Sequence, residues 1–248
     1  MIEQQLEIAT RDGSTTTFIC CPERDGPHPA VIFLMDAPGI REELRDMVRR
    51  LASVGYFVVL PNLYYRSGVM ELGPDAMVRD STGRSRISPL VESLSIPLIM
   101  SDVDGLMRFL ESSKQVRKGP MGVMGYCLSG QYAINCAARF PQRVAAAASI
   151  YGTWLVTDSP DSPHVQALKA KAALYFACAE IDPWMPAEKV AALRGSLAGE
   201  GDRIEVELYA GCTHGFAFPA RPAYDRAAAE RHWERLFALL LRHVPPHQ

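Results

Sequence analysis

Apolar and polar positions along this chain fall into short strand-like runs separated by helical periodicities. The segments "QQLEIAT" and "STTTFICCP" alternate in character and meet at Asp12-Gly13, which predicts a β-hairpin. "PAVIFLMD", Pro29 to Asp36, is continuously apolar, the pattern of a strand covered on both faces. A helical pattern follows from Arg41 to Val54, then "YFVVLPN" repeats the buried-strand pattern. Residues 64–95 are rich in Gly, Pro, Ser and Arg and read as loop. From Ile96 to Ser113, Leu98, Val103, Leu106, Met107 and Leu110 share one face of an amphipathic helix. The strand "PMGVMG" comes next, then a helix from Cys127 through "QYAINCAARF", and the strands "VAAAASIYG" and "AALYFACAE". A helix near Pro186 to Leu197, the strand "IEVELYAG" and the helix "AYDRAAAERHWERLFALLLRHV" complete the pattern. Strands alternating with helices predict an α/β fold with a mostly parallel central sheet and helices on both faces. No repeat or linker interrupts it, so a single domain over 1–248 is expected.

Composition narrows the partners. Apolar residues make up 48% of the 248 and charged residues 22%, a globular balance. A net charge of −2 gives no electrostatic case for nucleic acid or an anionic membrane. No apolar run approaches the roughly 20 residues needed to span a bilayer. The opening "MIEQQLEIATRDGS" has neither a basic nor an apolar signal region, so a cytoplasmic location is expected. Cysteines stand at 20, 21, 127, 136, 178 and 212, without a CxxC pair, which reads as free thiols in a reducing compartment. None of the six histidines pairs with a cysteine at zinc-site spacing, and no cofactor or metal is expected.

Ligands of open parallel sheets collect at the carboxyl ends of the strands. In "GVMGYCLSG", Cys127 lies at such a strand-to-helix turn, with the small residues Gly125 and Ser129 two positions to either side. A tight turn that exposes a nucleophile needs small residues there, because their side chains would press on neighbouring backbone. The turn alone suits a buried thiol equally well. Downstream, "FACAEIDPWMP" ends a strand at Asp182, and "YAGCTHGFAF" places His214 in a glycine-bounded loop after the last strand. Alone, Asp182 reads as a turn former and His214 as a solvated loop residue. Together, nucleophile, acid and histidine at the ends of successive strands follow the α/β-hydrolase order.

From "PAVIFLMDAPGI" through "LPNLYYR" and "GVMGYCLSG" to "DPWMP", "AGCTHGFAF" and "YDRAAAERHWERLFALL", the chain resembles the dienelactone hydrolases (carboxymethylenebutenolidases) of the α/β-hydrolase superfamily. The resemblance implies that Cys127 is a nucleophile served by His214 as base and Asp182 as its orienting acid. It also implies a role for Asp36 in "DAPG", where the family carries a glutamate one methylene longer. Arg66 in "LYYR" matches a family arginine that helps bind a substrate carboxylate, whereas Phe218 stands where a second arginine falls. Ser129 replaces the first glycine of the family's G-Y-C-x-G-G elbow.

The expected reaction is cofactor-independent hydrolysis of a small lactone or ester through a thioacyl-enzyme. Backbone amides of Leu128 and Ala37 would hold the oxyanion. Asp36 either keeps the resting thiol neutral by like-charge repulsion or caps the helix beginning near Arg41. Tyr64, Tyr65, Tyr126, Trp184 and Phe216 are candidates for the pocket wall, though aromatic residues near a core pack by default. Cys178 and Cys212 read as structural, and His28, His164, His232, His243 and His247 as surface residues. A carboxylesterase of broader scope and a non-catalytic ligand-binding protein of the same fold are the competing functions. The expected partner is a small molecule, and the chain is expected to be a monomer or homodimer.

Overall fold

The computed structural model describes residues 1–82 and 84–246; His247 lies outside them. The chain divides into two compact units, Met1–Lys118 and Gly119–Gln248.

In the first unit, β1 (Ile2–Thr10) and β2 (Gly13–Cys21) form the hairpin, with Thr10 opposite Gly13. The turn is therefore Arg11-Asp12, one residue earlier than the sequence suggests. β2 runs antiparallel to β4 (Phe57–Pro61), and β4 runs parallel to β3 (Ala30–Leu34). Every residue of β3 and β4 is buried, as their unbroken apolar runs predict. α1 (Glu42–Ala52) packs on β2 and β4 through Leu44, Met47, Val48 and Leu51. α2 (Ser88–Glu92) is a short helix in the segment read as loop, which also holds single 3-10 turns at Tyr65–Ser67 and Pro74–Met77. α3 (Ile96–Ser112) starts at Ser95, whose side chain accepts a hydrogen bond from the Leu98 amide, and packs against β1.

The second unit holds four parallel strands in the order β5 (Met121–Tyr126), β6 (Val144–Ile150), β7 (Ala173–Ile181) and β8 (Ile204–Thr213). α4 (Gly130–Arg139) lies on β5 and β6. α5 (Pro163–Ala167) contacts α4, α6 (Ala187–Leu197) contacts β8, and α7 (Arg226–His243) contacts β6 and β7. β6 is mostly alanine, which lets both α4 and α7 approach it closely. Asp225 caps α7 by accepting from the Ala228 amide. Antiparallel pairing at β1–β2 and β2–β4, with parallel pairing elsewhere, makes this the mostly parallel α/β class the pattern predicts. Among the described residues, no helix is long and apolar enough to cross a membrane.

Candidate active site

β5 is buried along its whole length and ends at Tyr126. The next residue, Cys127, has φ 53°, a left-handed backbone that costs a non-glycine residue about 1–3 kcal/mol. Its carbonyl accepts a hydrogen bond from the Thr153 amide at 3.1 Å, which helps hold that conformation. The flanking glycines make the turn possible. A Cβ on Gly125 would lie 2.1 Å from the Ser129 carbonyl oxygen, and one on Gly130 would lie 2.6 Å from the Gly152 Cα. The chain continues as a 3-10 turn, Cys127–Ser129, before α4 begins, so the helix predicted from Cys127 starts three residues later. Cys127 thus sits just before the amino end of α4, close to the free amides of its first turn. It is partly exposed, whereas the other five cysteines are buried. Burial pushes the thiols of Cys20 and Cys178 up to about 11 and about 12.

Asp182 follows β7 and is 5% exposed. Its Oδ1 accepts from the Trp184 amide at 2.9 Å, and its Oδ2 lies 2.7 Å from His214 Nδ1. A carboxylate only accepts, so Nδ1 carries the proton and donates it. His214 Nε2 is then the basic nitrogen. It is buried and makes no hydrogen bond of good geometry among the described residues. Burial alone would lower the imidazole pKa, but the Asp182 hydrogen bond, with the electrostatic influence of the nearby Cys127 and of Asp182, outweighs it and raises the pKa to about 9. The structure therefore brings Asp182, His214 and Cys127 to bear on one another at the carboxyl ends of β7, β8 and β5.

Aromatic rings enclose His214. The Trp184 ring centroid is 4.6 Å away and tilted by 53°, and Tyr151 meets the imidazole edge-on at 5.0 Å. Of the aromatic residues in this unit expected at the pocket wall, Trp184 is exposed. Tyr126, Phe216 and Phe218 are wholly buried. Tyr126 packs on Phe218 at 5.5 Å and Phe216 stacks on Tyr209 at 4.7 Å, so these rings fill the core behind the histidine. Leu128 is buried as well.

Two features of this region escape the sequence reading. His232, expected at the surface, is fully buried within this aromatic cluster. Its Nδ1 donates to the Ala229 carbonyl, which leaves Nε2 to accept from the Tyr126 hydroxyl at 3.1 Å. The signal was present: Ala229, Trp233, Leu236 and Leu240 form the buried stripe of α7, and position 232 falls on it. The second is Arg221, whose guanidinium lies 4.9 Å over the Phe218 ring and whose side chain passes beside Gly215. This puts a cation beside the histidine loop three residues beyond Phe218. No motif marks it. His28, also read as a surface residue, is buried, its main chain paired with Gln115 and Arg117.

In the first unit, Asp36 is fully buried and bound by both Nη atoms of Arg41, at 2.5 and 3.2 Å. Arg41 also binds Glu43, and the N-cap position of α1 has no side-chain cap. Capping is therefore not what holds Asp36. The Ala37 carbonyl accepts from the Tyr64 hydroxyl at 2.8 Å. Arg66 forms a two-pronged ion pair with Asp102, at 2.8 and 2.6 Å, and a second pair with Asp12 at 2.7 Å. Its guanidinium lies 4.4 Å from the Tyr65 ring centroid, and the Tyr65 hydroxyl joins Asp102 and Thr10. Arg66 and Tyr65 thus tie the hairpin turn to α3. Among the described residues, no group of three His, Cys, Asp or Glu side chains is placed to hold a metal.

Comparison with known proteins identifies the family. A model of the dienelactone hydrolase family matches residues 15–244. A protein of Methylorubrum extorquens named "Putative carboxymethylenebutenolidase" is 26% identical over 240 residues, covering 95% of this chain and 79% of the relative. A Bradyrhizobium protein named "Probable 2-oxo-3-(5-oxofuran-2-ylidene)propanoate lactonase" is 27% identical over 243 residues, 96% and 94% of the two chains. The crystal structure titled "Putative Dienelactone Hydrolase" from Klebsiella pneumoniae superposes with a TM-score of 0.84 at 24% identity, over 98% of this chain and 99% of that one. The dienelactone hydrolase from Anabaena variabilis superposes with a TM-score of 0.70 at 15% identity, over 98% of each chain. The chain belongs to the dienelactone hydrolase family, has the α/β-hydrolase fold, and is a hydrolase.

Proposed function

We propose that this hydrolase opens enol lactones and cleaves activated esters through a thioacyl-enzyme on Cys127. His214 Nε2 takes the thiol proton, and Asp182 fixes the imidazole tautomer and balances its positive charge. The thiolate adds to the lactone carbonyl, and the Leu128 amide in the 3-10 turn before α4 supports the oxyanion. Collapse breaks the ring C–O bond, and the proton held on His214 passes to the departing enol oxygen. Water, deprotonated by His214, then attacks the thioester and releases acid and Cys127. A thiolate is itself a good leaving group, so amides would return to substrate, whereas an enol or phenol leaves readily. The substrate in the Bradyrhizobium relative's name is such an enol lactone and carries a carboxylate. One domain running through both units is part of this reading, supported by a family match that begins in the first and ends in the second.

The observation that carries it is the Asp182–His214 bond in one unit with Cys127 held at φ 53°. A specific observation also favours the broader carboxylesterase. Phe218 is apolar where the family has an arginine, and Arg66 is engaged by two carboxylates. We therefore infer a weak requirement for a substrate carboxylate. The test compares kcat/KM for a carboxylate-bearing enol lactone and a neutral nitrophenyl ester. Cys127→Ala and His214→Ala are expected to lose about 1000-fold or more on both substrates with folding intact. Wild-type turnover by purified Cys127→Ala would overturn the assignment.

A further inference from the structure

A cavity of about 480 Å³ opens at the opposite ends of the same strands, where the chain enters β5, β6, β7 and β8. Cys127, Asp182 and His214 follow the other ends, a strand length of about 20–30 Å away. The lining includes Arg143, Lys171, Arg203, Arg242 and His243, against one carboxylate, Asp202. These cations come from four separate segments, in a chain whose net charge is −2.

Ordinary structural duties explain part of this concentration. Arg203 is held by Glu200 and by the carbonyls of Ala167, Ala170 and Ala172. Arg242 and His243 lie in the last turn of α7, where the helix dipole favours positive charge. Lys171 belongs to the loop between α5 and β7, so no such reason applies to it. Among the described residues, Lys171 and Arg242 have no ion-pair partner. Burial and then the Arg242 charge lower the His243 pKa, as expected where positive charge is crowded. Mutual repulsion of this kind is relieved by a bound anion, and the volume suits a small molecule.

We propose that this cavity is a second binding site, separate from the catalytic centre, for a small polyanion bearing phosphate or several carboxylates. Its anchored part is Arg203, held by carbonyls and Glu200, and its exposed part is the pair Lys171 and Arg242. The site does not depend on the proposed thiol chemistry.

Isothermal titration of the whole protein with inorganic pyrophosphate and, separately, with citrate tests it. Saturable binding is expected with a dissociation constant on the order of 1 mM or tighter. The tighter of the two probes identifies the phosphate or the polycarboxylate class. The double variant Lys171→Ala, Arg242→Ala should weaken binding tenfold or more, since each removes a charge-assisted contact at an exposed position. Cys127→Ala should bind as wild type does. No saturable binding of either probe up to about 10 mM would overturn the proposal. So would wild-type affinity in the double variant, or loss of binding in Cys127→Ala.

Discussion

At the scale of single residues, Trp184 and Arg66 show how far a motif can carry a role. Trp184 serves Asp182 through its amide and His214 through its ring. An indole face near an imidazolium favours the charged form by about 0.5–2 kcal/mol. Trp184→Leu should therefore lower the His214 pKa from about 9, and Trp184→Phe should lower it less. NMR titration of the imidazole reads the shift directly, and equal values in both variants would remove Trp184 from this role. Arg66 was legible as an arginine beyond a strand end, but its carboxylate partners were not. Asp12 and Asp102 are distant in sequence, and only the packing of α3 on β1 brings Asp102 to it. Arg66→Ala leaves Asp102, 2% exposed, without its ion pair. A stability loss of up to about 3 kcal/mol is expected by urea unfolding, discounted because Arg66 is itself partly exposed. Losses in kcat/KM should be equal for acidic and neutral substrates. A loss confined to the acidic substrate would show instead that Arg66 reads charge.

At the scale of elements, strands were the easiest to foresee. β3, β4 and β5 are buried along their length, and in an α/β chain a short unbroken apolar run marks a strand with helices on both faces. The short helices α2 and α5 and the 3-10 turns left no such mark, since one turn of helix is too short for a period to register. The elbow was legible because it is local: small residues around Cys127 reflect contacts within the same few residues. Gly125→Ala should be among the most damaging single changes in the second unit. Its Cβ would meet backbone, which cannot swing aside as a side chain can. A loss of about 3 kcal/mol or more, or failure to fold, is expected by thermal melting. Gly195→Ala is the matched control, because nothing lies within 4 Å of its Cβ in α6. It should stabilise by about 0.5–1 kcal/mol. Similar melting points for the two variants would contradict this account of the turn.

At the scale of the whole molecule, the order of Cys127, Asp182 and His214 along the chain singles them out in the sequence, because each follows a strand that the apolar pattern locates. The aromatic packing behind them and the ion pairs of Arg41 and Arg66 were hidden, because partners in a folded core are set by which helix covers which strand. The His214 charge should also be felt globally. Its pKa is raised to about 9 in the folded protein, above the unfolded value of 6.5. Its stabilising contribution is therefore complete below pH 6.5 and is lost as pH rises through 9, by about 3 kcal/mol in total. Urea unfolding of wild type and His214→Gln across that range should show the difference between them shrinking. A constant difference would mean that His214 does not titrate there. Finally, the chain keeps five of its six thiols inside and leaves one within reach of solvent. Peroxide should then act at a single address. A sulfenic acid formed on Cys127 has no second exposed thiol in the same chain to trap it as a disulfide, so it is free to climb to the sulfinic acid. Brief peroxide treatment should give inactivation that dithiothreitol reverses, and longer treatment a permanent loss with two oxygens added at Cys127 by mass spectrometry.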